Sequence, residues 1–364
     1  MSKERIQWID NEKGFILLGV CIGHIGFTWN VFPYISTFHM AAFFFLSGLL
    51  FRTDRPWIKF ALSKCKTLLL PYITLSFFFL FLTPSLYQLE THYTGSTLQN
   101  NMADILSDND YFHSLIVQLQ IYLLDIINGY SAPFVTPLWF VYTLFQLNII
   151  WFFPIRWLKE YKYSSYLLGA IAVICFVSGW MFYMNDITLP LQLSTFITSS
   201  SFFIVGYLFK QLTPYLSNLS VYWLAFLIIP LSFIYMIGVT NLKSPCIGYI
   251  TNILDENILA YAATSFGGTL VLTLLFIFLS KLNINLMAGH ILRAISINGI
   301  SILALHNYIL SSMRWGANTF HMPALANHWI IAIAIIVLCC ISIPIINRYF
   351  YFIVGKKAPE KYDS

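Results

Sequence analysis

Two histidines lie within long apolar stretches of the sequence, where an ionisable side chain is energetically costly. His24 follows Lys13 by about 16 Å of α-helix, which places it near the middle of a membrane span. A neutral imidazole can remove a proton from a hydroxyl group, so His24 is a candidate general base. His306 is a second buried candidate in a later apolar stretch. Either histidine could instead be structural, hydrogen-bonded between helices.

Other polar residues mark the ends of apolar stretches. His39 precedes a phenylalanine-rich run, and it is either a contact for a substrate or an interfacial side chain. Ser47, which is followed by Gly48 at the end of that run, favours close packing of helices. Trp139 begins a further stretch at a position typical of an interfacial anchor. Asn298 begins the stretch that contains the second histidine.

A basic segment separates the second apolar stretch from the third. Its basic residues are Arg52, Arg55, Lys59, Lys64 and Lys66. Positive charge beside a span most often fixes the orientation of a membrane protein. Lysine and arginine also pair well with phosphate groups. The segment therefore either orients the protein or binds a phosphate-rich ligand from the same side.

Motifs for several other chemistries are absent from the sequence. It contains no glycine-rich phosphate loop, His-Glu-x-x-His, Cys-x-x-Cys or Gly-x-Ser-x-Gly motif. The histidines are not at metal-ligand spacings, so we expect no metal site. Only Cys246 falls in a loop that we place on the outer side of the membrane, where it has no cysteine to pair with, and we therefore expect no disulfide bond to hold the fold.

The composition excludes a soluble globular protein. Hydrophobic residues make up 58% of the chain and charged residues 10%, whereas soluble domains carry about 25% charged residues. Ten runs are long and apolar enough for spans: roughly 14–33, 37–51, 67–86, 137–154, 164–183, 191–209, 221–240, 259–280, 297–313 and 328–347. We therefore expect an all-α, polytopic integral membrane protein with about ten transmembrane helices. Residues 1–350 would form one membrane-embedded domain and 351–364 a short cytoplasmic tail.

The distribution of positive charge predicts the orientation. With a cytoplasmic N-terminus, all but Lys243 and Arg314 of the 20 lysines and arginines fall on the cytoplasmic side, as the positive-inside rule requires. Both termini would then be cytoplasmic. The longest connection, 87–136, would lie outside. Its apolar-rich part, 113–128, is either a re-entrant or interfacial helix or an additional span.

Taken in order, these segments resemble acyltransferase family three, the bacterial membrane O-acyltransferases that modify sugars and polysaccharides. The resemblance rests on Trp8 to Gly14 before the first span, the spacing of Lys13 and His24, the run ending in Ser47-Gly48, the basic run into Pro71-Tyr72, Pro137 to Phe140, and Asn298 to His306. Family members often have proline where this chain has Ala41. That departure concerns a local bend and removes no polar group.

The resemblance implies transfer of an acyl group, usually acetyl from acetyl-CoA in the cytoplasm, to a hydroxyl of a sugar, polysaccharide or lipid-linked glycan. The protein would act in the bacterial plasma (inner) membrane, with acyl-CoA, the glycan acceptor and the bilayer as its partners. No bound cofactor and no nucleic acid are expected. An exporter or flippase for a polysaccharide or its lipid-linked precursor is the alternative, because many spans with scattered polar residues also suit transport.

The resemblance also suggests roles for individual residues. His24 would be the catalytic base or a transient acyl carrier, and Lys13 would orient the donor. On the acceptor side, the candidates are His39 and Trp139. The candidates for the phosphates of CoA are Arg52, Arg55, Lys64 and Lys66. Ser47, Asn298 and His306 are further polar residues within the membrane.

Overall fold

The computed structural model describes residues 7–26, 32–80, 120, 122–131, 135–244, 247–282 and 287–356. These residues are mostly helical and form no strand, which confirms the predicted all-α class. The chain divides into two compact units. Unit 1 comprises Met1–Gly23, Phe27–Lys64 and Thr143–Gly299, and unit 2 comprises His24–Gly26, Cys65–Tyr142 and Ile300–Ser364. The prediction of one membrane-embedded domain over 1–350 stays a prediction.

The helices are numbered here in chain order. The first group is α1 (Gln7–Ile25), α2 (Phe32–Ser36), α3 (His39–Leu49), α4 (Trp57–Lys64), a π-helix (Cys65–Leu69), α5 (70–80) and α6 (122–127). The second group is α7 (Trp139–Ile150), α8 (Phe152–Leu158), α9 (Ser164–Met184), α10 (Leu193–Phe209), α11 (Thr213–Asn218) and α12 (Val221–Asn241). The last group is α13 (Ile258–Lys281), α14 (Met287–Ile297), α15 (Gly299–Thr319) and α16 (His328–Tyr349).

Six helical segments among the described residues are long and apolar enough to cross a membrane. They are Thr136–Leu158, Ser164–Met184, Pro190–Phe209, Val221–Asn241, Ile258–Lys281 and His328–Tyr349. A seventh span results if Ala288–Ile297 and Gly299–Asn318 cross together. The protein is therefore a multi-pass membrane protein, and these segments match the fourth to eighth, the tenth and part of the ninth predicted runs. The total of about ten and the orientation stay predictions.

The first three predicted runs differ from the helices in informative ways. α1 begins at Gln7 rather than at Gly14, and its first turns carry charged side chains. α3 is only 11 residues long, which is short for a span. The third run extends beyond the described residues, as does most of the proposed re-entrant segment 113–128. The last part of the segment 113–128 is helical and forms α6.

Polar residues begin three of the long helices. Ser220, Asn257 and Asn327 each accept a hydrogen bond from a backbone N–H in the first turn of α12, α13 and α16, respectively. Such N-caps satisfy donors that the helix itself cannot pair. The caps explain why these helices begin close to where the apolar runs predict them.

Two glycines bring α3 and α10 into close contact within unit 1. A Cβ atom at Gly48 would overlap the backbone carbonyl of Phe203, and one at Gly206 would overlap the backbone carbonyl of Phe45. Each glycine therefore lies against the backbone of the other helix. The close packing predicted for Ser47-Gly48 is present, since small residues allow membrane helices to approach each other.

We predict that Gly206→Ala destabilises the protein by about 1–3 kcal/mol, because the added methyl group meets backbone rather than a movable side chain. Gly169→Ala is the matched control, because a Cβ at this position in α9 meets nothing within 4 Å. The control should be neutral or slightly stabilising, since alanine favours helix more than glycine does. Unfolding of the purified protein in a denaturing detergent titration measures both changes. Equal stability of the two variants would contradict the close contact.

Candidate active site

His24 and His306 lie side by side in unit 2. His24 is in the last turn of α1 and His306 is in α15. Their ring centroids are 5.4 Å apart and the ring planes form an angle of 61°. His306 is completely buried, whereas His24 is exposed. Of the two contacting imidazoles, that of His24 is therefore the accessible one.

The protonation of His306 is fixed by its own helix. Its Nδ1 lies 2.9 Å from the backbone carbonyl oxygen of Ile302. A carbonyl oxygen only accepts hydrogen bonds, so Nδ1 carries the proton and Nε2 of the neutral ring is an acceptor. This Nε2 is buried and has no hydrogen-bond partner among the described residues. It is available to accept a hydrogen bond from a protonated group beside it.

Arg314 holds the end of α1 beside the two histidines. Its Nη2 donates to the backbone carbonyl of Ile25 at 3.0 Å and lies 3.5 Å from the carbonyl oxygen of His24. A cation at this end of a helix complements the partial negative charge of the unpaired carbonyls. The sequence predicts Arg314 only as one of two positive charges on the outer side. No sequence signal pairs an arginine with the backbone of a distant helix.

Unit 1 contains a cluster of positive charge formed by Lys13, Arg55 and Lys64. Burial and, to a smaller extent, the charges of Lys13 and Arg55 together lower the pKa of Lys64 to about 8. Lys13 and Arg55 are therefore each close enough to Lys64 to repel its charge. Bound anions relieve such repulsion, and phosphate pairs well with lysine and arginine. We call these three residues the basic cluster.

A buried carboxyl group anchors α1 next to the basic cluster. Glu12 is completely buried, and the Thr273 hydroxyl of α13 donates to its Oε1 at 2.7 Å. The other carboxyl oxygen is buried with no hydrogen-bond partner in the described part of the chain. Gly14 lies directly against the backbone of Leu292 in α14. These contacts position the helix turn that carries Lys13, and no sequence pattern indicates this role of Glu12.

The remaining predicted site residues lie elsewhere in their units. In unit 1, His39 Nδ1 is 3.1 Å from the carbonyl oxygen of Ile35, Asn148 donates to Ser47 Oγ at 3.2 Å, and Asn298 donates to the carbonyl of Ala294. Arg52 is exposed at the end of α3. In unit 2, Trp139 is buried at the start of α7 and Lys66 lies in the π-helix. The roles proposed for them stay predictions.

The sequence profile of the acyltransferase domain of acyltransferase family three matches residues 6–347, nearly the whole chain. The chain belongs to acyltransferase family three. Comparisons with curated proteins and with solved structures gave no match. This family-three protein is therefore a membrane acyltransferase, which requires an acyl donor, an acyl acceptor and a lipid bilayer. Both the histidine pair and the basic cluster lie within the matched residues.

We predict that Thr273→Val destabilises this acyltransferase by about 1–3 kcal/mol, because it leaves a buried carboxyl group without its donor. Thr269→Val is the matched control, since Thr269 is equally buried and donates to the carbonyl of Ser265 in its own helix. The control should lose much less stability. Detergent-induced unfolding of the two variants tests the prediction, and equal losses would show that Glu12 does not depend on Thr273.

Proposed function

We propose that this acyltransferase moves an acetyl group from acetyl-CoA to a hydroxyl of a sugar, polysaccharide or lipid-linked glycan at the bacterial plasma membrane. The contact between His24 and His306 is the observation that carries the proposal. It combines an accessible imidazole with a buried acceptor nitrogen, an arrangement suited to proton removal from a hydroxyl. Transfer of an acyl group to oxygen needs such a base, because a neutral hydroxyl is a weak nucleophile.

In the proposed reaction, His24 takes the proton of the acceptor hydroxyl as its oxygen attacks the carbonyl carbon of the thioester. The new C–O bond forms, the C–S bond breaks, and the departing sulfur of CoA receives the proton from His24. While His24 is an imidazolium, His306 Nε2 can accept a hydrogen bond from it and hold the ring in place. His306 is thus a positioning residue. In the alternative route, His24 itself carries the acyl group transiently.

The basic cluster supports a donor with phosphate groups. We propose that Lys13, Arg55 and Lys64 bind the phosphates of CoA, with Arg52 and Lys66 as further contacts. The asymmetry of lysine and arginine along the chain supports a cytoplasmic location for this surface and for both termini. The acceptor would approach from the other side, where His39 and Trp139 are candidate contacts.

We predict that His24→Ala lowers transfer by about 10²–10⁴-fold, the usual contribution of a general base. His306→Phe keeps a ring of similar size but removes the acceptor nitrogen, so we expect a smaller loss in kcat than for His24→Ala and little change in KM. His321→Ala is the control, because His321 is an exposed histidine of the same unit. Inverted membrane vesicles that enclose the glycan and receive acetyl-CoA from outside report release of free CoA and, by NMR, the new O-acetyl groups.

An unchanged rate for inserted His24→Ala protein would remove this residue from the mechanism. Release of CoA only when acetyl-CoA is added to right-side-out vesicles would contradict the proposed orientation. If well-folded protein released no CoA and deletion cells accumulated the glycan inside, the exporter would replace the proposal.

We predict that affinity for acetyl-CoA falls by about tenfold between pH 7 and pH 9, because Lys64, with its pKa near 8, loses its charge over this range. In Lys64→Arg the charge persists at both pH values, so the decrease should disappear. Calorimetry at constant ionic strength measures the affinities, since added salt would screen the charges. If both proteins showed the same pH dependence, Lys64 would not contact the phosphates.

A further inference from the structure

A cavity of about 410 Å³ lies in unit 1 between α1, α13 and α14. Its volume falls within the range of about 300–1,000 Å³ found for small-ligand sites. Gln7, Asn11 and Phe15 line it from α1. At 3.6 residues per turn, these residues lie on the side of α1 opposite to Lys13. The cavity is therefore separate from the basic cluster and from its proposed ligand.

The lining changes from polar to apolar along two helices independently. On α1 the polar residues Gln7 and Asn11, with Trp8 between them, precede Phe15, and on α13 the polar Ser280 at the end of the helix follows apolar residues from Leu272 to Leu279. Each change occurs over eight residues, or about 12 Å of helix. The cavity thus has one polar end and one apolar end, and its length approaches the depth of one leaflet in a hydrocarbon core of about 30 Å.

The apolar part of the cavity opens towards lipid. Phe15 and Leu275 line it and are 39% and 37% exposed, respectively. Exposed apolar side chains on membrane helices face acyl chains rather than water. A lipid can therefore enter sideways from the bilayer, without passing through the aqueous phase.

We propose that this cavity binds one acyl chain of a phospholipid from the leaflet on the Lys13 side, with the lipid head group at the polar end. The polar side chains of Gln7, Asn11 and Ser280 line this end of the cavity and would face the head group. Neither the acceptor nor the donor of the transfer reaction enters this proposal.

The side chains that line the cavity favour binding of a lipid over binding of CoA. The described residues that line the cavity include no lysine or arginine, and His290 is the one basic side chain among them. The phosphates of CoA would have no cation to pair with at this polar end. A phospholipid keeps its phosphate in the aqueous interface and inserts only its chain.

Two alanines of α14 provide a matched pair for the test. Ala288 lines the cavity, whereas Ala294 is not among its lining residues, and both are exposed. Ala288→Trp should place an indole ring in the cavity, and Ala294→Trp adds the same ring elsewhere on the same helix. Full-length protein is reconstituted with a phospholipid that carries a photoreactive group within one acyl chain, and the cross-linked peptides are mapped by mass spectrometry.

We expect wild-type cross-links on the lining segments of α1, α13 and α14. Ala288→Trp should lower these cross-links by about tenfold. The indole ring would keep at least two methylene groups of the lipid acyl chain from being buried in the cavity, which weakens binding by about that factor. Ala294→Trp should leave them unchanged. Cross-links spread evenly over all lipid-facing helices of the wild type would overturn the proposal, and this readout does not depend on the folding of any variant.

Two further outcomes would also overturn the proposal. Equal cross-linking in folded Ala288→Trp protein would show that the chain binds elsewhere. Competition by acetyl-CoA for the lining cross-links would assign the cavity to the donor. The cross-linking needs no turnover, so an inactive preparation that still cross-links would count against the proposed transfer reaction and not against the lipid site.

Discussion

The structure depends on one constraint, which is that a polar group inside a lipid-facing bundle needs a partner. α1 carries both a carboxyl group and an imidazole, and each has a neighbour from another helix. Thr273 donates to Glu12, and His306 lies beside His24. The same constraint explains the position of Arg314, which donates a hydrogen bond to a backbone carbonyl at the end of α1. Chemistry and helix position therefore depend on the same set of contacts.

The long lipid-facing helices were predictable because their signal is local. α9, α12 and α16 are apolar over about six turns, and a polar residue or a turn ends each of them. α4 and α14 were not predicted, because short helices with charged faces resemble loops in a hydropathy scan. The early start of α1 was missed for a related reason. Asp10 and Glu12 look like a solvated N-terminus until the structure shows them buried.

The candidate site was predictable residue by residue but not as an arrangement. The depth of His24 within an apolar run was enough to single it out, and the same reasoning found His306. Their contact joins helices that are far apart in the sequence, and no local pattern encodes it. The basic cluster shows the same limit. The sequence places five lysines and arginines between α3 and α5, but only the structure shows that Lys64 lies close to both Lys13 and Arg55.

The two sides of α1 serve different purposes. Eleven residues make almost three helical turns, so Lys13 and His24 lie on one side of this helix. The opposite side faces the cavity and the residues of α13 and α14 that line it. Gly14 lies directly against the backbone of α14. Because such close backbone packing is hard to compress, filling or emptying the cavity would affect the position of α1. A lipid in this cavity would therefore help to hold the reactive side of α1 in place without touching either substrate.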